Sequence, residues 1–292
     1  MIKGSLVALV TPMDHEGGID RQALKQLVEF HIAQGTDGIV AVGTTGESAT
    51  LNFQEHADVI GDVVRLCAGR VPVIAGTGAN STREAIALTR DAAEAGADAC
   101  LSVVPYYNKP TQEGLYRHFC AIVEAVELPL ILYNVPGRTA CDMLPQTVKR
   151  LAEIERIIGI KEAVGECERI AALLPLRSEG FAFYSGDDIS ACDALLMGAD
   201  GVISVTANVV PAMMRRMCAA ALAERKTDAR VLQEQMMPLH HAMFVEPNPI
   251  PVKWALTRMG MIESSIRLPL TPLDDRFHQQ VQRALADCGV MI

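Results

Sequence analysis

The sequence of 292 residues lacks the patterns that mark several classes of protein. No run of lysine and arginine is longer than two residues and the formal net charge is −9, so neither nucleic acid nor an anionic membrane is an expected partner. The apolar run that precedes Thr11 and Pro12 has only five residues, which is too short for a signal-peptide core or a membrane span. We therefore expect a cytoplasmic protein.

Cysteine and histidine are present without the spacing of a disulfide framework or a metal site. The eight cysteines are scattered and form no CxxC pair, which in a chain of this length is typical of reduced, mostly buried thiols. The seven histidines form no HxH or HExxH motif, and the adjacent His240 and His241 would point in different directions on a helix. We expect no catalytic metal.

A repeat is what the sequence does contain. Eight short β-rich runs recur, with a helical segment in each gap, and they begin at Ser5, Gly38, Val71, Ala99, Leu130, Ile157, Phe181 and Gly201. The runs are apolar enough to be covered on both faces, so eight strand–helix units predict an α/β fold, a closed parallel (β/α)8 TIM barrel. A doubly wound open sheet is the alternative, but the GxGxxG turn that it normally carries is absent.

Helix signals support this division of the chain. Asn52 with Glu55 resembles a capping box, and Ser81 with Glu84 repeats the signature. From about Arg225 onward the pattern is helical only, with a proline-marked bend over residues 246–256. We predict a barrel over residues 1–224 and a C-terminal helical domain, packed on the barrel, over residues 225–292.

The unusual polar residues collect where the predicted strands end. In barrels of this kind the catalytic groups lie in the loops that follow the strands. Those positions hold "GTTGES" (43–48), "PYYNKP" (105–110), Tyr133 with "NVPGRT" (134–139), Lys161, and "SGDD" (185–188). The shared rim indicates one functional site.

Each motif has a structural and a functional interpretation. "GTTGES" is either a tight turn or a cradle of N–H groups and hydroxyls for a carboxylate. Arg138 is either a surface charge or a bidentate clamp for a carboxylate. Lys161 ends an apolar run, where a lysine often only extends its head to water, whereas a desolvated lysine loses its proton more easily and becomes a nucleophile. Because all these residues fall on the same rim, the sequence favours the nucleophile.

These motifs, together with "VPVIAGTGAN", "PYYNKPTQEGLYRHF", "IIGIKEA" and "NPIPVKWAL", resemble those of the dihydrodipicolinate synthase family, within the pyruvate-dependent class I aldolases. The similarity runs in order from Gly4 to about Pro272. N-acetylneuraminate lyase and keto-deoxy sugar-acid aldolases share the lysine, the tyrosine and the GTT-like turn but generally lack the arginine that matches Arg138. Such a sibling aldolase is the alternative function, and a non-catalytic ligand-binding barrel is the more remote one.

The resemblance implies a lyase that condenses pyruvate with L-aspartate 4-semialdehyde in diaminopimelate and lysine biosynthesis, without a cofactor. Lys161 would form a Schiff base with the pyruvate ketone. Thr44 and Thr45 would hold the pyruvate carboxylate, and Tyr133 would transfer protons. Thr45 would link Tyr133 to Tyr107, which in the family reaches in from a neighbouring subunit.

The resemblance also implies how the second substrate, the assembly and the regulation are arranged. Arg138 would bind the carboxylate of the semialdehyde, Gly186 and Ile203 match backbone positions that line the pocket, and the enzyme would be a homotetramer of two tight dimers. Lysine, the pathway product, inhibits many members at the tight-dimer interface, and Phe53 stands where sensitive bacterial members often have a second histidine. The positions that match the lysine site are Ser48, Ala49, His56, Asn80, Glu84 and Tyr106.

Overall fold

Eight parallel strands form the centre of the molecule, of which the computed structural model describes residues 2–291. They are β1 (Gly4–Ala8), β2 (Gly38–Ala41), β3 (Val73–Gly76), β4 (Ala99–Val103), β5 (Leu130–Asn134), β6 (Ile157–Glu162), β7 (Ala182–Ser185) and β8 (Gly201–Ser204). Each strand pairs with the next one in the chain, and β8 pairs with β1 to close the barrel. The prediction of a (β/α)8 TIM barrel is confirmed.

Helices occupy every gap between the strands. They are α1 (Arg21–Ala33), α2 (Phe53–Cys67), α3 (Thr82–Glu94), α4 (Gln112–Ala125), α5 (Pro136–Thr139), α6 (Pro145–Ala152), α7 (Cys167–Leu173), α8 (Ala191–Met197) and α9 (Pro211–Leu222), followed by α10 (Lys226–Ala242), α11 (Ile250–Arg258) and α12 (Asp275–Asp287). The capping box of Asn52 and Glu55 begins α2 with both of its hydrogen bonds, whereas Ser81 caps α3 through the single bond that it accepts from the Glu84 N–H.

The apolar core has two layers because side chains of successive strand residues point to opposite faces of the barrel wall. The inner layer fills the barrel with residues such as Leu6, Ile74 and Ile131, and the outer layer packs the strands against the helices. Tyr133 belongs to the inner layer, and across the β5–β6 pairing it lies in register with Lys161. Both candidate catalytic side chains therefore lie on the interior side of the wall.

Membrane-spanning helices and clusters of metal ligands are both absent from residues 2–291. No helix in that range is long and apolar enough to cross a membrane. No group of three His, Cys, Asp or Glu side chains in the same range is arranged to hold a metal ion.

Candidate active site

Two neighbouring cavities that share lining residues lie at the carboxyl ends of the strands. The inner cavity, of about 140 Å³, is lined by Thr44, Thr45, Tyr133, Arg138, Lys161 and Gly186, together with Asp187, Phe244 and Asn248 and other residues of the rim. The outer cleft, of about 590 Å³, shares Thr44, Val135, Arg138 and Asn248 with it. Six residues predicted for the site from six different positions of the sequence are thus brought to one cavity.

Lys161 provides an amine inside this cavity. The residue is 6% exposed, and its Nζ lies 4.3 Å from the centroid of the Tyr133 ring. Within residues 2–291 no carboxylate lies within salt-bridge distance of Nζ, although carboxylates pair with other lysines. A buried amine beside a phenol has the two groups that imine formation requires, a nucleophile and a proton donor.

Gly186 has no side chain, and this makes room for the side chain of Lys161. A Cβ atom at position 186 would lie 2.9 Å from Cε and 3.1 Å from Cγ of Lys161, so any side chain there would displace the amine. The Gly186 N–H donates to the Glu162 carbonyl at 2.7 Å, which holds the loop after β7 against β6. Ile203, also predicted for the pocket, lies in the inner core on β8 and does not belong to the cavity lining, so its role stays a prediction.

The "GTTGES" loop has two N–H groups without an acceptor in residues 2–291, in residues that line the inner cavity. The N–H groups of Gly46 and Glu47 close the turn onto the carbonyls of Gly43 and Thr44, whereas those of Thr44 and Thr45 donate to no acceptor within residues 2–291. Glu47 has a φ of +57°, in the left-handed region that a side chain rarely adopts and that often marks a functional loop. The geometry suits a carboxylate ligand, as the cradle interpretation requires.

A buried ion pair fixes this loop to the C-terminal helices. Lys253 of α11 donates to Glu47, and both side chains are at most 4% exposed. The other Glu47 oxygen accepts the Arg267 N–H at 3.2 Å. Burial lowers the pKa of Lys253, with Glu47 acting in the opposite direction. Lys253 is therefore a second buried lysine, but its ammonium is paired with a carboxylate, unlike the amine of Lys161.

We expect Lys253→Met to lower the free energy of unfolding by about 3–5 kcal/mol, because it leaves the Glu47 carboxylate buried without its partner. Urea unfolding measures the change. The matched control is Arg225→Met: Arg225 pairs with Asp228 at 3.4 Å with both side chains more than half exposed, so its loss should change stability by at most about 0.5 kcal/mol. The double variant Glu47→Gln with Lys253→Met should recover part of the loss. Equal losses of stability in Lys253→Met and Arg225→Met would contradict the prediction.

Asn248 is a site residue that the sequence interpretation did not identify. Its Nδ2 donates to Thr45 Oγ1 at 3.0 Å, and its backbone carbonyl accepts from Arg138 Nη2 at 3.3 Å. The signal available was the motif "NPIPVKWAL", but the contact joins residues 203 positions apart. Because the Thr45 hydroxyl bonds to Asn248 here, the predicted link from Thr45 to Tyr133 stays a prediction.

Arg138 and Tyr107 occupy the outer part of the site. Arg138 lies on the short helix α5, exposed, at the junction of the two cavities. Tyr107 is 88% exposed with a φ of +73° and does not line the inner cavity of its own chain. Its backbone N–H donates to the Thr139 carbonyl at 3.3 Å, which fixes the loop but leaves the phenol projecting outward.

The residues predicted for a lysine site lie around the outer cleft. Ser48, Ala49, His56, Glu84 and Tyr106 line it, while Asn80 lies behind and donates to the Tyr106 carbonyl at 3.2 Å. Burial lowers the pKa of His56, which favours the neutral ring. Phe53 also lines the cleft and is 57% exposed. An apolar ring therefore occupies the position at which the family resemblance gives a second histidine in lysine-sensitive members.

Comparisons with known proteins agree with this geometry. The profile of the dihydrodipicolinate synthetase family matches residues 1–288. The chain is 60% identical to the 4-hydroxy-tetrahydrodipicolinate synthase of Methylococcus capsulatus over 291 residues, which is 100% of each chain. It superimposes on the chloride-inhibited dihydrodipicolinate synthase of Acinetobacter baumannii in complex with pyruvate with a TM-score of 0.98 and 56% identity, over 100% of both chains.

A more distant relative is similar over nearly the whole chain. The structure of DHDPS, a dihydrodipicolinate synthase, from Cyanidioschyzon merolae with lysine bound superimposes with a TM-score of 0.96 and 39% identity over 99% of both chains. The similarity to such enzymes therefore extends over the barrel and the C-terminal helices alike.

Proposed function

The chain belongs to the dihydrodipicolinate synthetase family, and from that premise we propose that its inner cavity condenses pyruvate with L-aspartate 4-semialdehyde to give 4-hydroxy-tetrahydrodipicolinate. The predicted family and the predicted synthase are confirmed by these relatives, in preference to a sugar-acid aldolase or a non-catalytic barrel. The reaction begins the diaminopimelate route to lysine. The observation that carries the proposal is the buried Lys161 amine beside Tyr133 on the catalytic rim.

The first half of the reaction takes place on pyruvate. Lys161 Nζ attacks the ketone carbon to give a carbinolamine, which loses its hydroxyl as water when Tyr133 supplies a proton, and an imine is left. The N–H groups of Thr44 and Thr45 and their hydroxyls hold the pyruvate carboxylate. The protonated imine withdraws electrons, so the methyl group loses a proton and an enamine forms. No external electron sink is required.

The second half joins the two substrates. The enamine carbon attacks the aldehyde carbon of the semialdehyde, whose oxygen takes a proton and becomes the hydroxyl of the product. The amino group of the semialdehyde then attacks the imine carbon and expels Lys161 as a free amine, which closes the ring. Arg138, at the mouth of the inner cavity, pairs with the semialdehyde carboxylate.

We also propose a homotetramer built from two tight dimers, in which each inner cavity receives Tyr107 from the neighbouring subunit. Its support is the outward-projecting phenol, which within one chain is 88% exposed. Tyr107→Phe should retain the oligomer but lower turnover by about tenfold or more, since a positioned proton-transfer group is lost. Sedimentation at the assay concentration checks the assembly, and a fully active monomer would refute it.

Mixing two variants tests the shared site directly. Lys161→Ala supplies an intact Tyr107, and Tyr107→Phe supplies an intact Lys161. If each site takes one residue from each subunit, co-expression of the two variants should restore about a quarter of the wild-type activity, because half of the randomly assembled dimers are mixed and half of their sites are complete. Activity no higher than the sum of the separate variants would place both residues in one subunit.

A cytoplasmic location and the division into a barrel (1–224) and a C-terminal domain (225–292) stay predictions. The contacts of Lys253 and Asn248 with the "GTTGES" loop bear on the second point. They make the C-terminal segment part of the active-site framework even if it forms a separate domain.

L-lysine is the proposed ligand of the outer cleft, where five of the six predicted residues meet. Phe53 offers no hydrogen bond and only a weak attraction to an ammonium group, so we expect weak or partial feedback inhibition. Phe53→His should increase the sensitivity several-fold to about tenfold, the equivalent of one polar contact of about 0.5–1.5 kcal/mol. Titration of L-lysine against activity measures this. Val231→His, on the exposed surface of α10, is the control.

Two outcomes would contradict the assignment of Phe53. One is tight inhibition of the unmodified enzyme, and the other is an unchanged response in Phe53→His. Either would show that the residue at this position does not set the affinity for lysine.

A further inference from the structure

A buried polar network lies directly behind the two reacting side chains. Asn134 follows Tyr133 on β5, and Glu162 follows Lys161 on β6, so the strand alternation turns both away from the cavity, on the outer side of the barrel wall. Like Tyr133 and Lys161, these two residues are partners in the β5–β6 register. Asn134 Nδ2 donates to Glu162 Oε2 at 3.0 Å. A longer contact of 3.3 Å joins the same nitrogen to Oε1, so these side chains link the two strands one residue beyond the catalytic pair.

The Glu162 carboxylate is held from three directions. Besides the bond from Asn134, the Val164 N–H donates to Oε1 at 2.8 Å, and Arg169 Nη1 of α7 donates to Oε2 at 3.4 Å. The Glu162 side chain has no exposed surface. The end of β6, the loop that follows it and helix α7 are therefore tied to one carboxylate.

Asp142 closes the network on the side of β5. Its two oxygens accept from the Arg169 guanidinium at 2.9 and 2.5 Å, and Oδ1 also accepts from Asn134 Nδ2 at 2.8 Å. Asn134 Oδ1 in turn accepts the Met143 N–H at 2.9 Å. The loop after α5, which carries Asp142, is thereby joined to both strand ends.

The composition of the network argues that it does more than stabilise the fold. Two carboxylates share one guanidinium, and burial raises the pKa of Glu162 to about 7. Apolar side chains of similar volume are often at least as stabilising as a buried ionic cluster. What the cluster adds is directional constraint, since every bond has a defined length and angle. That constraint is applied at the two strand ends that carry the nucleophile and the proton donor.

We infer that Glu162 is a positioning residue: with Asn134, Asp142 and Arg169 it sets the distance and orientation of the Lys161 amine relative to the Tyr133 phenol. This inference rests on the proposed function of those two side chains. A displacement of about 1 Å in a reacting group can lower a rate by about a hundredfold, so a small shift of β6 relative to β5 has a large kinetic effect.

Glu162→Gln tests the inference because it keeps the shape but replaces one acceptor by a donor facing Asn134 and Arg169. The measurements are the rate at which borohydride traps the pyruvyl imine and kcat, both per folded protomer, together with KM for pyruvate. We expect the trapping rate and kcat to fall by about 10- to 100-fold and KM to change by less than about threefold. Arg169→Lys, whose side chain is 15% exposed, serves if Glu162→Gln does not fold, and it should lower the trapping rate by several-fold.

The chain contains a matched control at the opposite rim of the barrel. Asp200, just before β8, is a fully buried carboxylate that accepts from Arg177 Nε at 2.8 Å and from the Phe183 N–H at 3.1 Å. Residues at that rim serve stability, so Asp200→Asn should lower the unfolding midpoint yet leave the trapping rate within about twofold of the unmodified enzyme.

Each outcome is decisive. Trapping of pyruvate on Lys161 in the unmodified enzyme tests the proposed function alone. If no adduct forms on Lys161, that function is rejected. If the unmodified enzyme is trapped, then wild-type trapping rates in folded Glu162→Gln or folded Arg169→Lys would overturn the positioning role. A loss of rate in Asp200→Asn equal to that in Glu162→Gln would also overturn it, because the effect would then follow from lost stability.

Discussion

Lys161→Ala is expected to lose the pyruvyl adduct and nearly all turnover. Among the described residues that line the inner cavity, Lys161 is the one lysine, so the variant removes the amine that we propose forms the imine with pyruvate. Deleting a covalent nucleophile from an enzyme of established mechanism lowers turnover by several orders of magnitude, so we expect a loss on the order of a thousandfold or more.

Borohydride reduction in the presence of pyruvate, followed by peptide mass mapping, measures the adduct. In the unmodified enzyme the adduct should be found on Lys161. Lys149→Ala, on the exposed surface of α6, should retain both the adduct and the turnover. An adduct on Lys109 or Lys253, or a fully active Lys161→Ala variant, would exclude the mechanism.

Arg138→Ala is expected to impair the use of the semialdehyde while it leaves imine formation with pyruvate nearly unchanged. Arg138 lies at the junction between the inner cavity and the outer cleft, so we expect it to bind the second substrate rather than the imine. Removing one partner of a charge pair in a desolvated complex costs about 2–5 kcal/mol, and because Arg138 is exposed in the chain alone we expect the lower end of that range. A loss of about 2 kcal/mol corresponds to roughly 30-fold in kcat/KM for the semialdehyde.

Two assays distinguish this result from a general loss of activity. The rate of imine trapping with pyruvate should change little, while steady-state kinetics with varied semialdehyde should show the full effect. Arg138→Lys keeps the charge without the bidentate geometry, so its kcat/KM for the semialdehyde should lie between those of the unmodified enzyme and Arg138→Ala. Collapse of imine formation with unimpaired use of the semialdehyde would reverse the assignment.

The barrel could be predicted because its signals are local. Each strand is a short apolar run, and the helix that follows β2 begins with the capping box of Asn52 and Glu55 within four consecutive residues. Closure then follows from topology, since eight such units have few other ways to bury both faces of a parallel sheet. The same topology brings the ends of all strands to one rim, which is why Tyr133, Lys161 and the segment "SGDD" (185–188) could be assigned to one site from the sequence.

The framework around those residues could not be predicted in this way. Asn248 reaches Thr45 across 203 residues, and Lys253 reaches Glu47 across 206. Periodicity and capping signals act within a few positions of each other, so they contain no information about a partner at such a distance. The network behind β5 and β6 is similar: Asn134 and Glu162 could be placed on their strands, but not joined to Asp142 and Arg169.

The two buried lysines show most clearly what the sequence determined and what depended on the tertiary structure. By itself the sequence determined the (β/α)8 barrel and, through its motifs, the family and the lysine expected to react, because these depend on local pattern and order along the chain. Only the tertiary structure decided which groups surround each buried lysine: Lys253 is paired with Glu47, whereas Lys161 faces Tyr133 in a cavity without a carboxylate partner in the described chain. The physical reason is that the groups that pack against a buried lysine come from distant parts of the chain, where local sequence patterns carry no information about them.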